Sequence, residues 1–264
     1  MNAPRLVALD MDGTLLTPSG AIPEHFWHTL DRARAADITV APASGRQLAT
    51  LRSMFARNEP DTFIAENGAV VQHLGEIVSA VTMPEDTVRR FVDAFPHAPF
   101  AAHPVMCTPE ASFTLADTPA EVRREVDKYY LANSHISTLA DAPAHRIVKI
   151  ALFVDGDAES DGLPWVRETV PELEALVSSK HWLDIMPPAA SKGAALTALA
   201  ATLGIAQEDT AAIGDYLNDF SMLQAAGTAV AMGNAHPELK AIAHEVIGTN
   251  GENAAVDKLA QWAK

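Results

Sequence analysis

Two carboxylates separated by a single residue, Asp10 and Asp12, close an apolar run and lead into a Gly13-Thr14 turn. Aspartates at that spacing offer hard oxygen ligands to a cation such as Mg²⁺. A carboxylate can also attack phosphorus, which divides one difficult displacement into two easier ones. Other polar groups stand further along, Ser44 with Arg46 and Asp215 with Asn218 and Asp219 past the ends of apolar runs, and Lys192 just after a proline linker. Lys192 is a compact cation with three donors, suited to offsetting phosphate charge. The set contains a nucleophile, a proton donor, a metal site and a phosphate clamp, which are the parts phosphoryl transfer requires. Taken alone, Asp-x-Asp-Gly-Thr also suits a turn whose aspartates bond nearby backbone groups.

The elements that must position these residues alternate. Leu6 to Leu9 reads as a strand buried on both faces, which puts Asp10 at the carboxyl end, where open α/β sheets bind their ligands. Ile22-Pro23 opens a helix through about residue 36, with proline suited to its first turn. A second strand over 38–41 ends at Ser44-Gly45-Arg46, and a helix is expected over 47–57. A third strand, 62–65, runs to Glu66-Asn67-Gly68, where Asn-Gly predicts a tight turn into a return strand over 69–71. From Ser191 the rhythm resumes with a helix over 192–203 ended by Gly204. Strands follow over 210–213, ending at Gly214-Asp215, and over 228–231, ending at Met232-Gly233-Asn234.

Residues between these halves follow another pattern. Helices are expected over 84–95, 119–131 and 164–170, and strands over 100–107, 111–115, 146–154, 173–178 and 182–185. This predicts an α/β fold: a Rossmann-like parallel-sheet core from residues 1–83 and 186–264, with an α+β domain inserted over 84–185. Prolines near Thr82–Pro84 and at Pro187-Pro188 stiffen the expected linkers.

Composition narrows the partners. The 264 residues carry 19 Lys and Arg against 34 Asp and Glu, a net charge of −15, which disfavours non-specific binding to nucleic acid or anionic membrane. Cys107 is the one cysteine, so neither an intramolecular disulfide nor a Cys-rich zinc site is available. None of the ten histidines forms a His-x-x-x-His pair, which argues against a histidine metal site. There is no apolar run of membrane-spanning length and no secretory signal pattern, so a cytoplasmic protein is expected, monomeric or a small homo-oligomer.

In order along the chain, these motifs resemble those of the haloacid dehalogenase superfamily, and specifically its Cof-type, sugar-phosphatase-like branch with an α/β cap. Asp10-Met11-Asp12-Gly13-Thr14 matches the first motif, implying Asp10 as nucleophile and Asp12 as general acid/base. Ala43-Ser44-Gly45-Arg46 matches the second, implying phosphate binding at Ser44 and Gly45 with Arg46 in support. Ser191-Lys192-Gly193 matches the third, implying Lys192 as phosphate clamp. The segment from Gly214 to Leu223 matches the fourth, implying Asp215 as metal ligand, Asn218 at the phosphate and Asp219 in support. The resemblance further implies that Mg²⁺ is held by Asp10, Asp215 and the backbone carbonyl of Asp12. Glu66-Asn67-Gly68-Ala69 and the segment from Val230 to Ala235 also fit the branch, with Asn67 as a supporting residue. Tyr216 departs from it, placing an aromatic where Asn or a small residue is usual.

The resemblance implies a Mg²⁺-dependent phosphatase of small phosphorylated metabolites, such as sugar phosphates, working through an aspartyl-phosphate. Leaving-group contacts are expected from the inserted cap. A phosphotransferase or phosphomutase would use the same intermediate. A phospho-aspartate signalling module, the alternative outside enzymes, would lack Asp12 as an acid two residues on and would lack the large insertion.

Overall fold

Leu6, Val7, Ala8 and Leu9 have no exposed surface and form the centre of strand β1 (Leu6–Asp10). A strand apolar on both sides has to be flanked on both edges and covered on both faces, which is the parallel-sheet environment. The computed structural model describes residues 3–264. After β1 come helix α1 (Glu24–Ala35), β2 (Thr39–Ala43), α2 (Leu48–Ser53), β3 (Thr62–Ala65), β4 (Val70–His73) and β5 (Glu76–Ala80). The middle of the chain supplies α3 (Glu85–Ala94), β6 (Ala102–Cys107), β7 (Ser112–Leu115), α4 (Ala120–Val126), β8 (Asn133–Ile136), β9 (Lys149–Val154), α5 (Leu163–Thr169), β10 (Glu174–Val177) and β11 (Trp182–Met186). The chain then continues through α6 (Lys192–Leu203), β12 (Thr210–Gly214), α7 (Phe220–Ala225), β13 (Thr228–Ala231), α8 (Pro237–Ile242), β14 (Glu245–Val246) and α9 (Ala254–Trp262).

Two compact units result. One holds residues up to 45, 51–79 and 191 onward; the other holds 46–50 and 80–190. The division falls at 79/80 and 190/191, against 83/84 and 185/186 in the sequence reading. Met83 accounts for part of the shift, because it is buried in the second unit's core and its N–H donates to the Ile147 carbonyl at 2.7 Å.

Among the described residues, the first unit's sheet has the order β14-β13-β12-β1-β2-β3-β4-β5. β1 lies between β12 and β2, parallel to both, and the parallel run extends to β14 on one side and β3 on the other; β4 returns antiparallel to β3. Register aligns the functional ends. Asp10 is opposite Ala43 and Leu9 is opposite Ile213, so Ser44 and Gly214-Asp215 leave the sheet beside Asp10. α6 starts cleanly because Ser191 caps it, its hydroxyl accepting the Ala194 N–H at 3.1 Å. It ends at Gly204, whose φ of +63° is the left-handed stop that glycine adopts without strain.

The second unit is a six-stranded sheet, β10-β11-β9-β6-β7-β8, antiparallel where β10, β11, β9, β6 and β7 meet and parallel between β7 and β8. Val88 and Phe91 of α3 and Val166 of α5 share a buried core with Ile150 and Leu152 of β9. The helix expected over 119–131 stops at Val126, and β8 follows. Backbone groups that a longer helix would need are engaged elsewhere: Ala132 exchanges two hydrogen bonds with the Gln47 amide, and the Tyr129 carbonyl and Leu131 N–H meet the Thr50 hydroxyl. The helix expected over 47–57 likewise shortens to α2, closing in i→i+3 bonds from Met54 and Phe55. Among the described residues no helix is long and apolar enough to cross a membrane.

Candidate active site

The chain leaves β1 through one wide turn, Met11–Leu15, closed by an i→i+5 bond from the Leu16 N–H to the Met11 carbonyl at 2.8 Å. Asp10 is buried at its start, and Asp12 is exposed two residues on. Gly13 has φ +82°, and a Cβ there would stand 2.2 Å from Asp215 Oδ2. Only glycine allows this turn to lie so close to the second acidic loop. Thr14 Oγ1 donates to Asp215 Oδ1 at 3.4 Å from the same turn.

Lys192 occupies the first position of α6 and is fully buried. A cation there opposes the helix dipole, and two carboxylates counter that penalty. Its ammonium donates to Asp10 Oδ1 and to Asp219 Oδ1, both at 2.6 Å. Asp219 also accepts the Asp215 N–H at 3.0 Å and the Tyr216 N–H at 3.3 Å through Oδ2. Its oxygens are thereby engaged in holding Lys192 and shaping the loop after β12.

Ser44 is buried just past β2; its N–H donates to the Ile64 carbonyl at 2.9 Å, and its carbonyl accepts the Asn67 N–H at 3.0 Å. Glu66, Asn67 and Gly68 have φ of +51°, +53° and +96°, a run of left-handed residues that turns β3 back into β4. Asn67 Oδ1 accepts from Asn218 Nδ2 at 3.5 Å, and a Cβ on Gly45 would meet the same oxygen at 2.9 Å. Ser44, Gly45, Asn67 and Asn218 thus adjoin one another, whereas Arg46 groups with the second unit. Asn234 is a member that sequence reasoning did not single out. Its amide donates to the Gly13 carbonyl at 2.8 Å and to Asp215 Oδ2 at 3.3 Å, joining both acidic loops. Its place just past β13 matches that of the other polar residues at strand ends, and that was the available signal.

Oxygens of Asp10, Asp215 and Asp219 lie within 4.8 Å of one another. Three carboxylates around one ammonium leave surplus negative charge in a poorly solvated place. Burial, then the charge of Asp219, pushes the Asp10 carboxyl up to about 8 against the pull of Lys192. Burial and Asp219 likewise raise Asp215 to about 6. For Lys192, burial disfavours the charge, but Asp10 and Asp219 outweigh it and hold the ammonium above its ordinary value. Asp10 Oδ2 is buried with no hydrogen-bond partner. An all-oxygen donor set, surplus negative charge and an orphaned carboxylate oxygen fit a hard divalent cation held by Asp10 and Asp215. Asp12 contributes no side-chain oxygen to this cluster.

A pH dependence follows. Asp10 and Asp215 bind protons more tightly folded than unfolded, where the reference value is 3.8. Between about pH 4 and 8 the native state therefore holds more protons, and stability falls as pH rises. The metal-free wild type should lose thermal stability relative to Asp10→Asn across that interval. A divalent cation should restore an increment that grows with pH, because it replaces the retained protons. Thermal melts with and without MgCl₂ at several pH values check this; an increment that shrinks with pH would contradict it.

The fold defines a class, a Rossmann-like parallel-sheet core with an inserted α+β domain. The family model for haloacid dehalogenase-like hydrolases matches residues 7–259, and the chain belongs to that family. It is similar to proteins named HMP-PP phosphatase from Cronobacter sakazakii, at 31% identity, and Escherichia fergusonii, at 32%, in each case over 98% of this chain and 95% of the relative. Among solved structures, a haloacid dehalogenase-like hydrolase from B. subtilis superposes with a TM-score of 0.79 at 27% identity, covering 97% of this chain and 98% of that one. A Thermotoga maritima protein reaches a TM-score of 0.85 at 23% identity, over 99% and 97% of the two chains, and shares the fold.

Proposed function

We propose that this chain is a Mg²⁺-dependent phosphatase that hydrolyses small phosphate monoesters through an aspartyl-phosphate on Asp10. The observation that carries the reading is the buried Lys192 ammonium bonded to both Asp10 and Asp219, with Asp10 Oδ2 left without a partner. Lys192 holds the nucleophile by one oxygen and leaves the other for chemistry. The relatives named HMP-PP phosphatase agree with a phosphorylated small molecule as substrate.

In the first step a carboxylate oxygen of Asp10 attacks phosphorus, and the bond from phosphorus to the leaving-group oxygen breaks. Asp12 gives its proton to that oxygen. Lys192, the Ser44 hydroxyl and the Gly45 backbone hold the phosphoryl oxygens, with Asn218 alongside. In the second step water attacks phosphorus, Asp12 takes the water's proton, and cleavage of the acyl-phosphate bond frees Asp10 and inorganic phosphate. Asp10, Asp215 and the Asp12 carbonyl would hold Mg²⁺, which would supply charge neutralisation at the phosphoryl group. Asp219 and Asn234 are positioning residues for Lys192 and Asp215.

Phosphate release from a panel of phosphorylated metabolites, with MgCl₂ and with EDTA, tests the reading. Turnover is expected with MgCl₂ and loss of it with EDTA; full activity in metal-free protein would overturn the metal assignment. Asp12→Asn should slow both formation and hydrolysis of the phosphoenzyme by about 10²–10⁴-fold, the range for a lost general acid/base. Rapid-quench measurement of labelled protein separates the two steps, and near-normal rates for both would remove Asp12 from the mechanism.

A further inference from the structure

Beside this charged site the chain exposes apolar surface. Tyr216 is 59% exposed and Leu217 is 42% exposed. Scattered single hydrophobics on a surface need no special account. These two, however, are the one consecutive pair of exposed large hydrophobics among the described residues, and they directly follow Asp215.

The backbone of Tyr216 is pinned. Its N–H donates to Asp219 Oδ2 at 3.3 Å, and its carbonyl accepts the Asp219 N–H at 2.9 Å. His236 restrains the ring, with centroids 6.0 Å apart and planes at 83°. His236 is itself tied to the site, because its N–H donates to the Asp215 carbonyl at 2.8 Å. An aromatic ring with a fixed backbone and one near-perpendicular neighbour loses little freedom when a second ring lies against it. Consecutive Cα atoms are about 3.8 Å apart, so the ring stands within one side-chain length of a residue whose carboxylate belongs to the acidic cluster. An exposed ring anchored there is open to a second ring carried by a ligand held at the cluster.

We propose that Tyr216 is a specificity-determining residue that stacks on planar aromatic leaving groups; this rests on the phosphatase reading above. The favoured substrate class is a phosphate ester carrying an aromatic or heteroaromatic ring a bond or two from the ester oxygen.

Two esters of matched charge and similar alcohol acidity, benzyl phosphate and cyclohexylmethyl phosphate, separate ring stacking from apolar contact. kcat and KM would be measured for the full chain with MgCl₂ in the wild type, Tyr216→Ala, Tyr216→Phe and Tyr216→Leu. In Tyr216→Ala the benzyl-to-cyclohexylmethyl ratio of kcat/KM should fall about threefold to tenfold, the range for an aromatic pair. The fall should come through KM. Tyr216→Phe should keep the ratio and Tyr216→Leu should not. An unaltered ratio in Tyr216→Ala, recovery by Leu equal to that by Phe, or an equal loss of kcat on both esters would overturn the proposal. So would a wild type that hydrolyses members of the metabolite panel but neither ester, and in that case the phosphatase reading would stand. Failure on every phosphate ester would remove both.

Discussion

Asp10→Asn is expected to lower turnover by at least about 10⁴-fold, as removal of one member of a catalytic unit does, while the chain stays folded. The amide oxygen can still accept from Lys192, where the carboxylate accepts at 2.6 Å. It cannot act as a nucleophile toward phosphorus. The substitution also removes one of three carboxylates whose oxygens lie within 4.8 Å of one another, relieving repulsion that burial aggravates. Activity and stability should therefore move in opposite directions, with metal-free melting at pH 8 no lower than in the wild type. Acid-quenched wild-type protein incubated with labelled substrate should carry phosphate, and the variant should carry none. Residual turnover within tenfold of the wild type, or label on another residue, would reject Asp10 as nucleophile.

Lys192→Met should damage fold and activity together. It leaves Asp219, which is fully buried, without the cation that faces it, and it removes the partner of Asp10 as well. Breaking a buried pair by deleting one member costs about 3–5 kcal/mol, because the remaining charge is stranded. Denaturant titration of the metal-free protein should show a loss of that order, and turnover should fall about 10²–10³-fold or more for want of the phosphate clamp. The double variant Lys192→Met/Asp219→Asn separates the two effects. It should regain much of the stability, since the stranded charge is gone, and none of the activity. Equal stability of the single and double variants would mean that the pair contributes little to stability.

Reading the sequence located the strands that carry the site because each is apolar along its length and stops at a polar residue. Leu6–Leu9 before Asp10 and Thr210–Ile213 before Gly214-Asp215 are such cases, and their parallel pairing with common register brings the polar ends to one edge. What could not be read depends on partners distant in sequence or on elements too short to show a period. α7 and α8 are six residues each, and β14 is two, below the length at which apolar spacing is informative. β5, with partly exposed residues throughout, has no alternation to detect. The stop at Val126 is set by Gln47 and Thr50, which hydrogen-bond to residues about eighty positions away. In the site, Asp219 reads from the sequence as a residue that supports Lys192; that its second oxygen also accepts the Asp215 and Tyr216 N–H groups becomes visible only with geometry. Asn234 was overlooked because an asparagine after a Gly resembles any turn residue.

The central place of β1 also bears on how the polypeptide is made. Its neighbour β2 begins at Thr39, but its other neighbour, β12, begins at Thr210. At a synthesis rate of about 5–20 residues per second, the ribosome needs roughly 10–40 seconds after Asp10 to produce that second partner. Through that interval a strand whose residues 6–9 are wholly buried in the finished sheet has one edge of backbone donors and acceptors unsatisfied, a template for pairing with another chain. The inserted residues 80–190 are complete before β12 exists, and they carry a hydrophobic core of their own. Nascent chains stalled between about residues 190 and 210 would then combine a finished insertion with an open sheet edge, which is the stage at which a ribosome-associated chaperone has most to protect.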